Sequence, residues 1–173
     1  MPLRQAAPTD DDDEGRLLVV TASHDRTAQI SRVSLDGTRT ASMPLATLHL
    51  HDAPVADVAS SQDGKNILTA GWDGLVGLWS AEIPENDEVP LEETIAAPER
   101  KKRRKVQNGG ESVKTKAPSA VLRSHTARVS AVEFSDAGNA VSCGFDSTVR
   151  TWDVERGLCS HTIVRTPRRT RHN

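Results

Sequence analysis

The sequence predicts an all-β fold, a partial β-propeller of about two and a half to three antiparallel four-stranded blades with a disordered charged insertion. Three observations predict it. The stretch GWDGLVGLW at Gly71–Trp79 returns as GFDSTVRTW at Gly144–Trp152, and a weaker copy, SHDRTAQIS, stands at Ser23–Ser31. Inside each copy the residues alternate with a period near two, as half-buried strands require. Between the runs stand turn-forming clusters, SSQDG at 60–64 and SDAG at 135–138.

The elements follow in chain order. Residues 1–15 form an acidic leader, with Asp10 to Glu14 unbroken, and are expected to be disordered. Residues 16–79 hold a partial blade, which lacks a first strand, and then a complete one. Residues 80–118 are polar, punctuated by proline and nearly free of large apolar side chains, so they are expected to be a disordered surface loop. Residues 119–164 hold the second complete blade, whose last strand is expected at about Leu158 to Val164. Residues 165–173 are a basic tail.

The copies align on Asp25, Asp73 and Asp146. Four residues before each stands a hydroxyl: Thr21, Thr69 and Ser142. Six residues after the second and third stands an indole, Trp79 and Trp152, where the first copy has Ser31. Upstream lie His51 and His125, 28 and 27 residues before their tryptophans. These four side-chain types can close a network at a tight turn. The carboxylate accepts from turn N–H groups and from an imidazole N–H. The other imidazole nitrogen accepts from the hydroxyl, which accepts in turn from the indole N–H. A closed set satisfies every member, whereas an open one leaves buried polar groups unpaired at about 1–3 kcal/mol each.

The segment Val121 to Gly157 resembles a WD-repeat, and the two complete blades resemble parts of a WD40 β-propeller. Carried over residue by residue, the structural tetrads are His51, Thr69, Asp73 and Trp79, then His125, Ser142, Asp146 and Trp152. The first copy supplies only Thr21 and Asp25.

The same residue types could be read as chemistry. Ser142, His125 and Asp146 have the composition of a hydrolase triad. The set recurs, however, as Thr69, His51 and Asp73, and a triad needs no second copy with a tryptophan attached. His49, His51 and Asp52 could be read as a metal fragment, but no further ligands stand nearby in sequence. No Gly-rich phosphate loop or paired acid/base set stands out. No catalytic residue, metal site, cofactor or small-molecule substrate is therefore expected.

The composition is lean for a compact core. Hydrophobic residues make up 36% and aromatics 3% of 173 residues, and the net charge of -2 favours no partner. Cys143 and Cys159 lack metal-type spacing, and an intracellular reduced pair is expected. The longest aliphatic run, Leu17 to Val20, is far too short for a membrane span. The acidic start is unlike a secretory signal.

Three features stand outside the tetrads. Trp72 lies in the turn beside Asp73, and Phe145 holds the same place in the next copy. Both are candidate partner contacts or rim packing residues. Arg100, Lys101, Lys102, Arg103, Arg104 and Lys105 form an unbroken cationic run, expected to be a nuclear signal read by an import receptor. The count of repeats is small, because propellers need about four or more blades to close. The chain is therefore expected to be part of a longer propeller or to need a partner.

The order of features narrows the family. TASHDRTAQI, then LTAGWDGLVGLWS, a long insertion, and RSHTARVSAVEFSDAGNAVSCGFDSTVRTWDVERG resemble the WD-repeat ribosome-biogenesis proteins of the Ytm type, with Ser135-Asp136-Ala137 in place of the commoner Ser-Pro-Asp-Gly. The resemblance covers about Leu17 to Gly157. It implies a scaffold of the nucleus, in nucleolus and nucleoplasm, working on the pre-60S particle with pescadillo-type and block-of-proliferation-type proteins. It also implies a part in maturing the 25S/28S and 5.8S rRNAs. Two alternatives stay open: another nuclear WD-repeat adaptor, in chromatin or splicing, and RNA binding through the basic segments, which lack neighbouring aromatic residues for stacking.

Overall fold

A computed structural model describes residues 4–5, 16–36, 39–88 and 113–164. Every regular element among the described residues is a strand. In chain order they are β1 (Arg4–Gln5), β2 (Arg16–Ala22), β3 (Thr27–Asp36), β4 (Arg39–His49), β5 (Val55–Ser60), β6 (Asn66–Gly71) and β7 (Leu75–Ser80). They continue with β8 (Lys114–Lys116), β9 (Ala120–Arg123), β10 (Val129–Phe134), β11 (Asn139–Gly144), β12 (Thr148–Asp153) and β13 (Leu158–Val164). Three sheets result, ordered β1-β2-β3-β4-β8, β5-β6-β7-β9 and β10-β11-β12-β13. All neighbours pair antiparallel except β4 and β8, which run parallel.

The three sheets stack face to face with apolar layers between them. Val20, Ile30, Leu48, Val58, Ile67 and Trp79 form the layer between the first and second sheets. Leu68, Val76, Leu122, Val132, Ala140 and Trp152 form the layer between the second and third. The middle sheet is thus covered on both faces, and β6 and β7 are buried almost throughout. Such strands read as continuous apolar runs (Ile67-Leu68, Leu75-Val76) rather than as strict alternation.

The β2–β3, β6–β7 and β11–β12 turns repeat one backbone geometry. The residue after the aligned aspartate is left-handed in each: Arg26 at φ 78°, Gly74 at 84° and Ser147 at 60°. Each aspartate accepts a hydrogen bond from the backbone N–H two residues on, at 3.0 Å from Thr27, 3.0 Å from Leu75 and 3.1 Å from Thr148. A short carboxylate bonded to its own turn is what makes Asp a good turn residue.

Backbone and side-chain bonds tie neighbouring sheets. Val55 N–H donates to Ser23 O at 3.1 Å, from second sheet to first. Asp57, buried on β5, accepts from Val132 N–H on β10 at 3.0 Å, from second sheet to third. Its other oxygen accepts from Val58 N–H at 3.0 Å.

Three sequence expectations change. The strand β9 lies inside the 119–164 unit of the sequence but pairs with β7 as the outer strand of the middle sheet. Sequence repeat and sheet are therefore offset by one strand, which links successive sheets through the chain itself. The leader, expected to be disordered, contributes β1, which pairs with β2 in the place of the missing first strand. The insertion, expected to be disordered over 80–118, is ordered at both ends: residues 81–88 and 113–119 are described, and β8 extends the first sheet. Unpaired edges of β2 and β4 supply the backbone partners that these short segments cannot supply themselves. The cationic run and the basic tail lie outside the described residues.

Candidate functional site

The two complete copies each bring four side chains together. In the middle sheet, His51 lies in the β4–β5 link, Thr69 on β6, Asp73 in the β6–β7 turn and Trp79 on β7. Trp79 Nε1–H donates to Thr69 Oγ1 at 3.1 Å, and His51 Nε2 lies 2.8 Å from the same hydroxyl. His51 Nδ1 lies 3.0 Å and 3.1 Å from the two Asp73 oxygens. Asp73 also accepts from Asp52 N–H at 3.1 Å.

The third sheet repeats the arrangement. Trp152 Nε1–H donates to Ser142 Oγ at 2.8 Å, and His125 Nε2 is 2.7 Å from that oxygen. His125 Nδ1 is 2.8 Å from Asp146 Oδ2. Asp146 accepts further bonds from Thr126 N–H at 3.1 Å and from Thr148 Oγ1–H at 2.7 Å.

Donor chemistry sets the direction of both chains. An indole N–H can only donate and a carboxylate can only accept. The hydroxyl therefore accepts from tryptophan, and Nδ1–H donates to aspartate. Around a neutral imidazole the hydroxyl gives its own proton to Nε2, which makes a one-way relay from indole to carboxylate. Burial alone would raise the Asp146 carboxyl, but donation from Thr148, from His125 and from the Thr126 and Thr148 backbone holds it well below the usual carboxylate range. Asp73 is also lowered: burial opposes the shift, and the His51 and Leu75 donors outweigh it.

This geometry bears on catalysis. A serine nucleophile needs a free lone pair facing a substrate and a base that takes its proton. Ser142 is buried at 1% exposure and its oxygen is already engaged by Trp152 and His125. Thr69 is equally enclosed. The relay is a brace between strands and turns.

Among the described residues, the first sheet has no such relay. Thr21 lies on β2 opposite Gln29 of β3, and Ser31 is buried where the indole stands in the other sheets. Asp25 instead accepts from Thr27 Oγ1–H at 2.6 Å in an exposed turn.

Two residue types that matter here escaped the sequence reading. Gly71 and Gly144 stand two residues before the aspartates of the complete copies. A Cβ on Gly71 would lie 2.2 Å from His51 Nδ1, and one on Gly144 would lie 3.0 Å from His125 Nδ1. The incomplete copy, which has no histidine to seat, carries Ser23 at this place; that contrast was the available signal. The second type is a compensating pair. A Cβ on Gly77 would meet Leu50 Cδ2 at 2.8 Å and Trp79 Nε1 at 2.7 Å. In the third sheet the same places hold Arg150 and Ser124, and the Arg150 guanidinium donates to the Ser124 hydroxyl. A leucine roofs a glycine in one sheet; a serine makes room for an arginine in the next.

Trp72 and Phe145 occupy equivalent turns but different surroundings. Trp72 lies beside His24, with ring centroids 5.5 Å apart, and beneath Arg128, whose guanidinium carbon is 4.5 Å from the indole centroid. It brings together the β2–β3 turn, the β6–β7 turn and the link between β9 and β10. Phe145 is 72% exposed.

The stacked sheets and their two relays are those of WD-repeats. The family described as "WD domain, G-beta repeat" matches residues 42–80 and 116–153. Over most of its length the chain is a homologue of proteins named "Ribosome biogenesis protein YTM1". It is 49% identical over 158 residues to the one from Laccaria bicolor, covering 89% of this chain and 35% of that protein. It is 50% identical over 153 residues to the one from Coprinopsis cinerea, covering 84% and 34%. It is 38% identical over 125 residues to the one from Yarrowia lipolytica, covering 64% and 24%. The chain thus spans about a third of the length of the first two relatives.

Proposed function

We propose that the chain is a non-enzymatic WD-repeat scaffold in the assembly of the large (60S) ribosomal subunit. The observation that carries this reading is 49% identity, over 89% of the chain, to a protein named for ribosome biogenesis. The enclosure of both hydroxyls in structural relays supports a role in holding partners rather than in turning over a substrate.

The proposed partners are pescadillo-type and block-of-proliferation-type proteins on the pre-60S particle, with pre-rRNA a candidate contact. The proposed outcome is maturation of the 25S/28S and 5.8S rRNAs. Proposed localisation is the nucleus, in nucleolus and nucleoplasm. Arg100 to Lys105 is the proposed import signal. Phe145 is the stronger of the two candidate partner contacts, because it is 72% exposed whereas Trp72 is already engaged by His24 and Arg128.

Affinity purification of the tagged chain from cells tests the reading. Recovery of pre-60S factors with large-subunit rRNA precursors is expected. Recovery of histones or spliceosomal proteins without them would assign the chain to a different nuclear adaptor. A reporter fused to residues 80–118 tests the signal: nuclear accumulation is expected, and uniform distribution would remove it.

A further inference from the structure

We propose that Lys116 locks the two ends of the 81–119 connection into a clasp, which docks on the edge of the first sheet and holds the outer strand of the middle sheet in place. The middle sheet needs β9 on β7, yet residues 81–119 separate the two strands. The entropic cost of bringing two strands together rises with the length of chain between them. A contact made inside the connection, near its ends, removes the intervening residues from that cost.

The described ends make such a contact at successive residues. Leaving β7, Ala81 N–H donates to Lys65 O at 2.7 Å, and Ala81 and Ile83 pack on the apolar layer between the first two sheets. Glu88 N–H donates to Thr115 O at 2.8 Å, and Thr115 N–H donates to Asp87 Oδ1 at 2.8 Å. Ala117 N–H donates to Glu88 Oε2 at 2.9 Å. Ser119 N–H then donates to Leu78 O at 2.7 Å, which delivers the chain into β9. On its other side β8 pairs with β4 in the register Ala46 with Lys114, Thr47 with Thr115 and Leu48 with Lys116.

Lys116 stands at the centre. It is 4% exposed, an unusual state for a lysine, which is seldom buried without a partner. Its Nζ donates to Glu82 O at 2.7 Å and lies 3.9 Å from Glu88 Oε1. One amine thus ties the outgoing segment, at Glu82 and Glu88, to the returning segment at its own position. The contact also covers the β4 edge, which would otherwise present unpaired backbone groups.

The clasp separates two properties that a plain loop would couple. The stability of the β7–β9 pair depends on Lys116 and is insensitive to the number of residues beyond Glu88 and Val113. The inference is independent of the ribosomal role.

Hydrogen–deuterium exchange on the full chain tests it, with three variants. Lys116→Met keeps the stem and removes the ammonium. Its β8 and β9 amides are expected to exchange about tenfold faster, while β10–β12 stay unchanged, as local opening without global unfolding requires. Lys116→Arg should restore most of the protection. Deletion of residues 93–108 should leave β8 and β9 rates within about twofold of the parent. Unchanged β9 exchange in Lys116→Met, or equal acceleration in the deletion, would overturn the proposal. Should Lys116→Met fail to fold, Asp87→Asn and Glu88→Gln weaken the same clasp from an exposed and a half-buried position. Faster exchange confined to β8 and β9 then supports it, and unchanged exchange overturns it.

Discussion

Gly71 makes room for the His51 ring: a Cβ at this position would stand 2.2 Å from Nδ1 and 2.3 Å from Asp73 Oδ1. A backbone hydrogen at residue 71 is thus as much a part of the relay as the four side chains that form it. Gly71→Ala should displace the imidazole and cost on the order of 3 kcal/mol, the upper range for overpacking a filled site. Ser23→Ala, at the matching place in the first sheet, should be near neutral. Urea unfolding of the two variants, followed by tryptophan fluorescence, checks the contrast.

Ser142 serves both Trp152 and His125 from one buried oxygen. Ser142→Ala leaves an indole N–H and an imidazole nitrogen without partners, at roughly 1–3 kcal/mol for each. Ser142→Thr should retain most of the stability, because Thr69 performs the same task in the middle sheet. Thermal denaturation by circular dichroism distinguishes the two outcomes.

Ser147 adopts a left-handed conformation at φ 60°, where the equivalent residue of the middle sheet is Gly74. Ser147→Gly should raise stability by about 1 kcal/mol, since relief of the left-handed strain exceeds the entropy glycine adds to the unfolded chain. Gly74→Ala should do the reverse, with further loss because its Cβ would lie 3.2 Å from His125 O. Paired denaturant midpoints for the two variants test the sign.

Asp73 and Asp146 both carry lowered carboxyl pKa values in the folded chain. An unfolded aspartate titrates near 3.9, where half of the denatured molecules already carry the proton. Below that value the unfolded state binds more protons than the folded state, so stability rises with pH there. The stabilisation from these carboxylates is fully present above the unfolded value and is lost as pH falls through the folded values. Denaturant midpoints taken between about pH 5 and pH 2 should show this fall. Asp146→Asn should flatten it, at the cost of lower stability at neutral pH.

The sequence alone carried the all-β class, the turn positions and the four residue types of each relay. These features are local or repeat at fixed intervals, and repetition marks them against the background. The last strand, Leu158–Val164, was legible for the same reason. The WD-type match over 42–80 and 116–153 rests on those repeats.

Tertiary structure decided what repetition does not encode. It placed β9 on β7 across the connection, β1 against β2 and β8 against β4. Each of these short strands is stable only through the edge it meets, and no property of its own residues names that edge. It also brought Trp72 against His24 and Arg128, and put the Asp57 carboxylate on the Val132 amide of the next sheet. Asp57 has no counterpart in the third copy, where Ala131 stands, so periodicity could not have found it. Intervals along a chain determine which strands can form; which edges and faces they meet depends on unpaired backbone groups and apolar area brought together only when the sheets stack.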